Sequence, residues 1–246
     1  MVIAAARQIR EGDVVNVGMR LPLLAYALAK MTHARTAMGF FDSGIVRAEP
    51  LTHEIVTMCD AANVRGSQWC TDMIDLMNLM QQGFVDVGFL GGAEVDQFGN
   101  VNTSYIGDPQ KPRVRLPGSG GAADIAQFSG RTVIIMAHEK HRLVREVQYV
   151  TTLGYGRDGH ERERLGMSGG PSALVTTLGV FTFDNPWHTA QLAHIHPGAT
   201  LEDIKSATGW DIIMGDAPPT ETPWPTTEEV AVLELLDGSG FWTGKR

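Results

Sequence analysis

Three apolar runs near the start of the chain, VVNVG, TAMGFFDSG and FVDVGFLGG, each stop abruptly at a glycine-bearing loop. Runs this short, bounded by turn residues, read as strands buried on both faces. Helical segments separate them. Pro22 stands at a first helical position of PLLAYALAKM, and TDMIDLMNLMQQG places Met73, Ile74, Met77 and Met80 on one face, a stripe that reads as core packing. Such alternation predicts an open, mostly parallel α/β sheet flanked by helices.

The ends of the chain fit this plan. Residues 2–11 read as a helix closed by Gly12. RTVIIMA and SALVTTLGVFTF are further strands, the second a hairpin around Leu178-Gly179, so the second half carries more strand and some antiparallel pairing. PGSGGAADIA opens a helix near Ala122. TLEDIKSATG is a helix with Thr200 as cap and Gly209 as stop, and TTEEVAVLELL is the last helix, capped by Thr226 or Thr227. Pro218 to Pro225 is a rigid turn. No Ser- or Pro-rich linker interrupts the 246 residues, so one domain over residues 1–246 is expected.

With 43% hydrophobic residues the chain can build a sizeable core. A formal net charge of −8 and no Lys/Arg run exclude a nucleic-acid footprint. No segment approaches a membrane span. Arg7, Arg10 and Glu11 interrupt the opening stretch too early for a signal peptide, and Cys59 and Cys70 read as reduced thiols, so a cytoplasmic protein is expected.

In open α/β sheets, ligands bind beyond the carboxyl ends of the strands. The loops there are Gly18-Met19-Arg20-Leu21-Pro22, Asp42-Ser43-Gly44 and Gly91-Gly92-Ala93. Asp42-Ser43-Gly44 is either a side-chain-closed Asx-turn or the seat of a reacting carboxylate. Gly91, Gly92 and Ala93 suit backbone donors to an oxyanion, or a tight connection. Gly118, Ser119, Gly120 and Gly121 form a phosphate or pantetheine nest, or a flexible loop.

Several motifs mislead. GMSGG, Gly166 to Gly170, lacks the strand that must precede a nucleophile elbow. HEKH, His138 to His141, has the wrong spacing for a zincin, and His194 with His196 lacks a third ligand, so no metal site is expected. RDGHERER is a solvated charged loop.

GGAEVDQFGNVN, Gly91 to Asn102, followed by GSGGAADIA, resembles the B subunit of family I CoA-transferases, most of all the glutaconate type. The resemblance continues through VVNVGMRLP, YIGDPQKPRVRLPGSGG, IIMAHEKHR, YVTTLGYG, ERERLG and LGVFTFD, to about Ala207. It implies the open α/β sheet shared with sugar-phosphate isomerases, an A subunit in a heteromer, and acyl-CoA as substrate with no tightly bound cofactor. It also implies a B-subunit glutamate that attacks the thioester, becomes an anhydride, then a glutamyl-CoA thioester, and passes CoA on. That glutamate stands in Glu-Ser-Gly, which Asp42-Ser43-Gly44 matches with one methylene fewer. A displacement of about 1 Å can cost roughly 10²-fold in rate.

A second departure is Arg20, where the family's loop is small. Arg20 either clamps a substrate carboxylate or faces solvent or the partner. The resemblance gives Gly91, Gly92 and Ala93 the oxyanion role. Gly18, Arg20, Ser43, Gly44, Asn100, Asn102 and Gly118 to Gly121 become candidates for substrate or CoA contact, Asn100 and Asn102 equally for fixing the turn. The leading expectation is transfer of CoA between small dicarboxylates with Asp42 as carrier. The alternative is hydrolysis or carbon–carbon cleavage with Asp42 as base, as in ring-opening and decarboxylating relatives of this scaffold. A ligand-sensing domain is a third class, and no DNA-binding segment is recognisable.

Overall fold

The computed structural model describes residues 1–50, 57–215 and 217–244. The chain divides into two compact units.

One unit comprises Val2–Phe89, Phe128–Gly130 and Pro223–Arg246. Its elements are α1 (Val2–Ala6), β1 (Val14–Asn16), α2 (Leu21–Met31), β2 (Met38–Phe41), β3 (Ile45–Arg47), α3 (Ala61–Val64), β4 (Trp69–Cys70), α4 (Met73–Gln81) and β5 (Val87–Leu90). β1 lies parallel to β2 on one side and to β5 on the other, with Val15 beside both Gly39 and Val87. β3 and β4 extend the sheet antiparallel. The centre is thus parallel and buried, as the continuous apolar runs require. α2 is buried from Pro22 to Lys30, and Gly39 is what lets it approach: a Cβ there would lie 2.7 Å from Tyr26 Cζ. A helix at Thr227–Leu236 is capped by Thr226 and tied down by the Arg7–Glu229 ion pair at 2.7 Å.

Two expectations need correction here. The helix predicted over 2–11 ends at Ala6, where the hydrogen bonds tighten to i→i+3 before Gly12 turns the chain at φ +84°. The methionine stripe is not one buried face. Leu76 and Met80, four apart, face the core, while Met73 and Ile74 are 53% and 66% exposed in the first turn of α4.

The other unit comprises Met1, Leu90–Gln127 and Arg131–Thr222. It holds β6 (Glu94–Val95), β7 (Val101–Asn102), β8 (Tyr105–Asp108), β9 (Lys111–Arg115), α5 (Ala122–Phe128), β10 (Arg131–Ile135), α6 (Glu161–Arg164), β11 (Pro171–Val175), β12 (Gly179–Thr182), β13 (Gln191–Ile195), α7 (Leu201–Ser206), β14 (Ile213–Met214) and β15 (Thr220–Glu221). β10 and β11 pair parallel, β11 to β13 run antiparallel through the predicted hairpin, and β14 and β15 each pair parallel with β13. Two small hairpins, β6–β7 and β8–β9, stand apart from that sheet. α7 is closed by a capping box between Thr200 and Asp203. Parallel pairs in each unit, with antiparallel strands beyond them, give the mostly parallel α/β fold that the alternation predicts. Among the described residues no helix is long and apolar enough to cross a membrane.

Candidate active site

Asp42 sits in the turn between β2 and β3. Gly44 N–H donates to Phe41 O at 2.9 Å, so the backbone closes the turn without the aspartate side chain. Gly44 has φ +91°, and a Cβ there would lie 2.0 Å from Thr71 O; only glycine fits. Gly44 O accepts from Thr71 N at 2.7 Å, and Ser43 Oγ donates to Met58 O at 3.0 Å. Serine and glycine are therefore used by the fold. Arg47 anchors the next strand, its buried guanidinium donating to Asn63 O at 2.7 Å and Arg65 O at 2.6 Å.

The Asp42 carboxylate has one protein partner among the described residues: Asn16 Nδ2 donates to its Oδ1 at 2.8 Å. The Asx-turn reading is thereby overturned. Burial pushes the Asp42 carboxyl above the usual carboxylate range, and the Asn16 hydrogen bond opposes that rise. Asn16 is 1% exposed and stands at the end of β1, beside Phe40 of β2 and Gly88 of β5. Sequence reasoning passed over it. Its signal was a lone amide inside the apolar run VVNV.

Gly18 and Arg20 lie in the loop from β1 to α2. Arg20 is exposed, takes φ +67°, and its backbone carbonyl starts the helix by accepting from Leu23 and Leu24 N–H. Its guanidinium makes no hydrogen bond or ion pair among the described residues, so a cation stands free at the start of α2.

In the other unit, the loop that follows β5 is tightly determined. A Cβ on Gly92 would lie 2.3 Å from Val101 Cγ1. Ala93 N–H donates to Asn102 O at 2.9 Å, so it is spent on the hairpin; Gly91 and Gly92 remain of the three expected oxyanion donors. Asn100 and Asn102 turn inward. Asn100 Nδ2 donates to Asp96 and to Gly156 O, while its Oδ1 accepts from Gly154 N at 2.9 Å. Asn102 Nδ2 donates to Glu94 Oε2 and Tyr105 O, each at 2.8 Å, and its Oδ1 accepts from Ser104 N. Both side chains are buried and fix the turn, which replaces the expectation of ligand contact. Burial pushes Asp96 up to about 6 although the Asn100 side chain and three backbone N–H groups oppose it.

Gly118 and Gly120 take positive φ with open space around them, and Gly118 N–H is held by Thr103 O at 2.9 Å. Two clefts that the sequence did not reveal share Gln97 and Arg145. One, of about 510 Å³, adds Asp96, Phe98, Glu146 and Arg157; the other, of about 350 Å³, adds Lys205, Thr208 and Trp210. His138 and His196 are buried among Thr176, Thr208 and Thr222, and among the described residues no cluster of ligands suits a metal.

Comparison with known proteins gives this geometry its context. The profile of the family described as Coenzyme A transferase matches residues 1–207. The B subunit of 3-oxoadipate CoA-transferase from Pseudomonas knackmussii is 36% identical over 96% of this chain and 91% of its own. The B subunit of glutaconate CoA-transferase from Acidaminococcus fermentans is 33% identical over 97% and 92%. The crystal structure of that second enzyme superposes with a TM-score of 0.90, at 29% identity over 98% of this chain and 94% of that one. The decarboxylase AibA/AibB superposes at 0.85, with 30% identity over 99% and 95%.

Proposed function

This chain belongs to the coenzyme A transferase family, and from that premise we propose that it is the B subunit of a heteromeric CoA-transferase acting on acyl-CoA thioesters of small dicarboxylates. Its relatives are named for 3-oxoadipate and glutaconate, both dicarboxylates, and each is the B subunit of its enzyme. An A-type subunit is therefore the expected partner, and CoA enters as a substrate moiety. The two exposed free thiols, Cys59 and Cys70, fit the reducing cytoplasm.

The observation that carries the reading is the state of Asp42. The fold uses Ser43 and Gly44 and leaves the Asp42 carboxylate half-buried, with a single hydrogen bond among the described residues. A carboxylate deprived of water and held at one oxygen is a stronger nucleophile than one in solution. In this reading Asp42 Oδ2 attacks the thioester carbonyl and expels CoA thiolate. The thiolate then adds to the Asp42 carbonyl of the anhydride and expels the acyl carboxylate. The acceptor acid reverses the two steps.

The test is co-expression with an A-type subunit and a screen of CoA esters with and without acceptor acids. After acyl-CoA treatment, borohydride reduction is expected to convert Asp42 to homoserine, read by peptide mass. Turnover with Asp42 unmodified sinks covalent transfer. The second reading, Asp42 as general base in hydrolysis or decarboxylation, draws on the aspartate itself and on the match to AibA/AibB. Consumption of the CoA ester without any acceptor acid is its signature, with free CoA as the product of hydrolysis and CO2 plus a shortened CoA ester as the products of decarboxylation.

A further inference from the structure

Arg20 holds a backbone conformation that suits glycine and not arginine. At φ +67° and ψ −122° it lies outside the small left-handed region that side chains tolerate. Nothing inside the protein requires an arginine there. Arg20 stands at the N-cap of α2 but gives the helix no side-chain hydrogen bond. Only its backbone carbonyl serves, accepting from Leu23 and Leu24 N–H, and a glycine would supply the same atom. The guanidinium has no hydrogen bond or ion pair among the described residues. A permanently charged fork of N–H donors thus stands unused at a strained position.

Its place in the fold says which ligand it suits. β1 and β2 run parallel, so the loop after β1 and the turn after β2 leave the sheet at the same edge. Val17 N–H donates to Phe40 O at 2.8 Å, which holds the two strands together just before they diverge to Arg20 and Asp42. Asn16 meets Asp42 side chain to side chain, and the chain from Asn16 to Arg20 spans at most about 14 Å. A dicarboxylate joined to CoA at one end keeps a free carboxylate at the other. The Asp42 carboxylate repels that second charge, and among the described residues no cation pairs with Asp42. A guanidinium supplies the compensating charge in a geometry that matches both oxygens of a carboxylate.

We propose that Arg20 is the specificity-determining residue of the Asp42 site, binding the free distal carboxylate of a dicarboxylyl-CoA ester while the thioester carbonyl faces Asp42. This rests on the dicarboxylyl-CoA reading above and holds whether Asp42 acts as nucleophile or as base. No bond is made or broken at Arg20. The strain at its backbone is the counterpart of a side chain that serves the substrate and not the fold.

The experiment compares wild type, Arg20→Met, Arg20→Gly and Arg20→Lys in the complex with the A-type subunit. Ester consumption is followed with and without acetate or succinate as acceptor. The esters are glutaconyl-CoA and 3-oxoadipyl-CoA, set against pent-2-enoyl-CoA and 3-oxohexanoyl-CoA, which carry a methyl in place of the distal carboxylate. Wild type is expected to favour the dicarboxylyl ester. Arg20→Met and Arg20→Gly should lower kcat/KM on it by about 10–100-fold, the usual strength of hydrogen bonds to a charged group, and leave the methyl ester unchanged. Arg20→Lys keeps the charge without the fork and should recover part of the loss. Arg20→Gly should also keep or raise the thermal midpoint, because it relieves the backbone. Equal effects on both kinds of ester, or none on either, overturn the proposal. So does a lowered midpoint in Arg20→Gly, which would show the side chain serving the fold, or failure of both Arg20→Met and Arg20→Gly to assemble, which would assign it to the partner subunit. A wild-type complex inert on both dicarboxylyl esters overturns the substrate reading itself, a distinguishable result that removes this proposal with it.

Discussion

Two loops of this protein each follow a buried strand, and each presents a buried or half-buried aspartate. Asp96, in the Gly91–Asn102 segment, accepts hydrogen bonds from Phe98 N, Asn100 N and Asn100 Nδ2, and the amide that serves it is itself held by Gly154 and Gly156. Asp42 accepts from Asn16 alone among the described residues. A saturated carboxylate shapes a chain; a carboxylate with lone pairs to spare can react. On the function proposed above the two loops divide the labour: one is over-determined and defines the architecture, the other is lightly held and would carry the chemistry.

The largest test of this contrast removes the reactive group while keeping its shape. Asp42→Asn in the assembled complex is expected to lower transfer by about 10⁴-fold or more, with the thermal midpoint within a degree or two of wild type. A matching loss of stability would place Asp42 on the structural side. The mirror experiment is Asn100→Ala. It leaves Gly154 N and Gly156 O without their partner and removes the side-chain donor to Asp96, whose bonds from Phe98 N and Asn100 N remain, and should cost about 3 kcal/mol in urea unfolding. A cost below about 1 kcal/mol would mean that the Asp96 network is not what fixes the loop.

Glycine offers a milder version of the same test. A methyl on Gly92 would meet the buried Val101 Cγ1 at 2.3 Å and Asn102 O at 3.1 Å. Gly92→Ala is expected to cost about 1–3 kcal/mol, again in denaturant unfolding, and an unchanged midpoint would show that the hairpin relaxes freely.

The over-determined loop was also the legible one. GGAEVDQFGNVN is specific because nearly every polar residue in it has a fixed structural task, and such residues leave a dense pattern in sequence. Asp42 was found through its Ser-Gly neighbours, which turn out to serve the fold. Asn16 was not found, because its role depends on a parallel register between β1 and β2 that no local pattern encodes. Periodicity drew the α4 stripe correctly as a helix but could not say which face would be covered: 3.6-residue spacing is the same for a buried and a bare face. The clefts around Arg145 are likewise a product of tertiary placement, since Gln97, Arg145 and Trp210 come from separate segments.

The smallest expected effect concerns protons, and here the saturated unit should answer to pH in stability while Asp42 answers in rate. Burial holds His138 and His196 down to about 4 from an ordinary 6.5, so the unfolded chain takes up their protons first and stability falls as pH drops from 6.5 towards 4. Asp96 works the other way. Its carboxyl, raised to about 6, binds a proton in the folded state before the unfolded chain does, and adds stability as pH falls from 6 to 4. Two histidines against one aspartate leave a net loss over that window, expected as a modest fall in the urea midpoint between about pH 6.5 and 4.5. His196→Gln should flatten that fall. The acid limb of the rate should lie above the ordinary carboxylate range, because burial raises Asp42, and it should stay in place in His196→Gln. If the rate limb moved with the histidine, activity on the acid side would report unfolding and not Asp42 protonation, and the division between the two loops would fail at its simplest point.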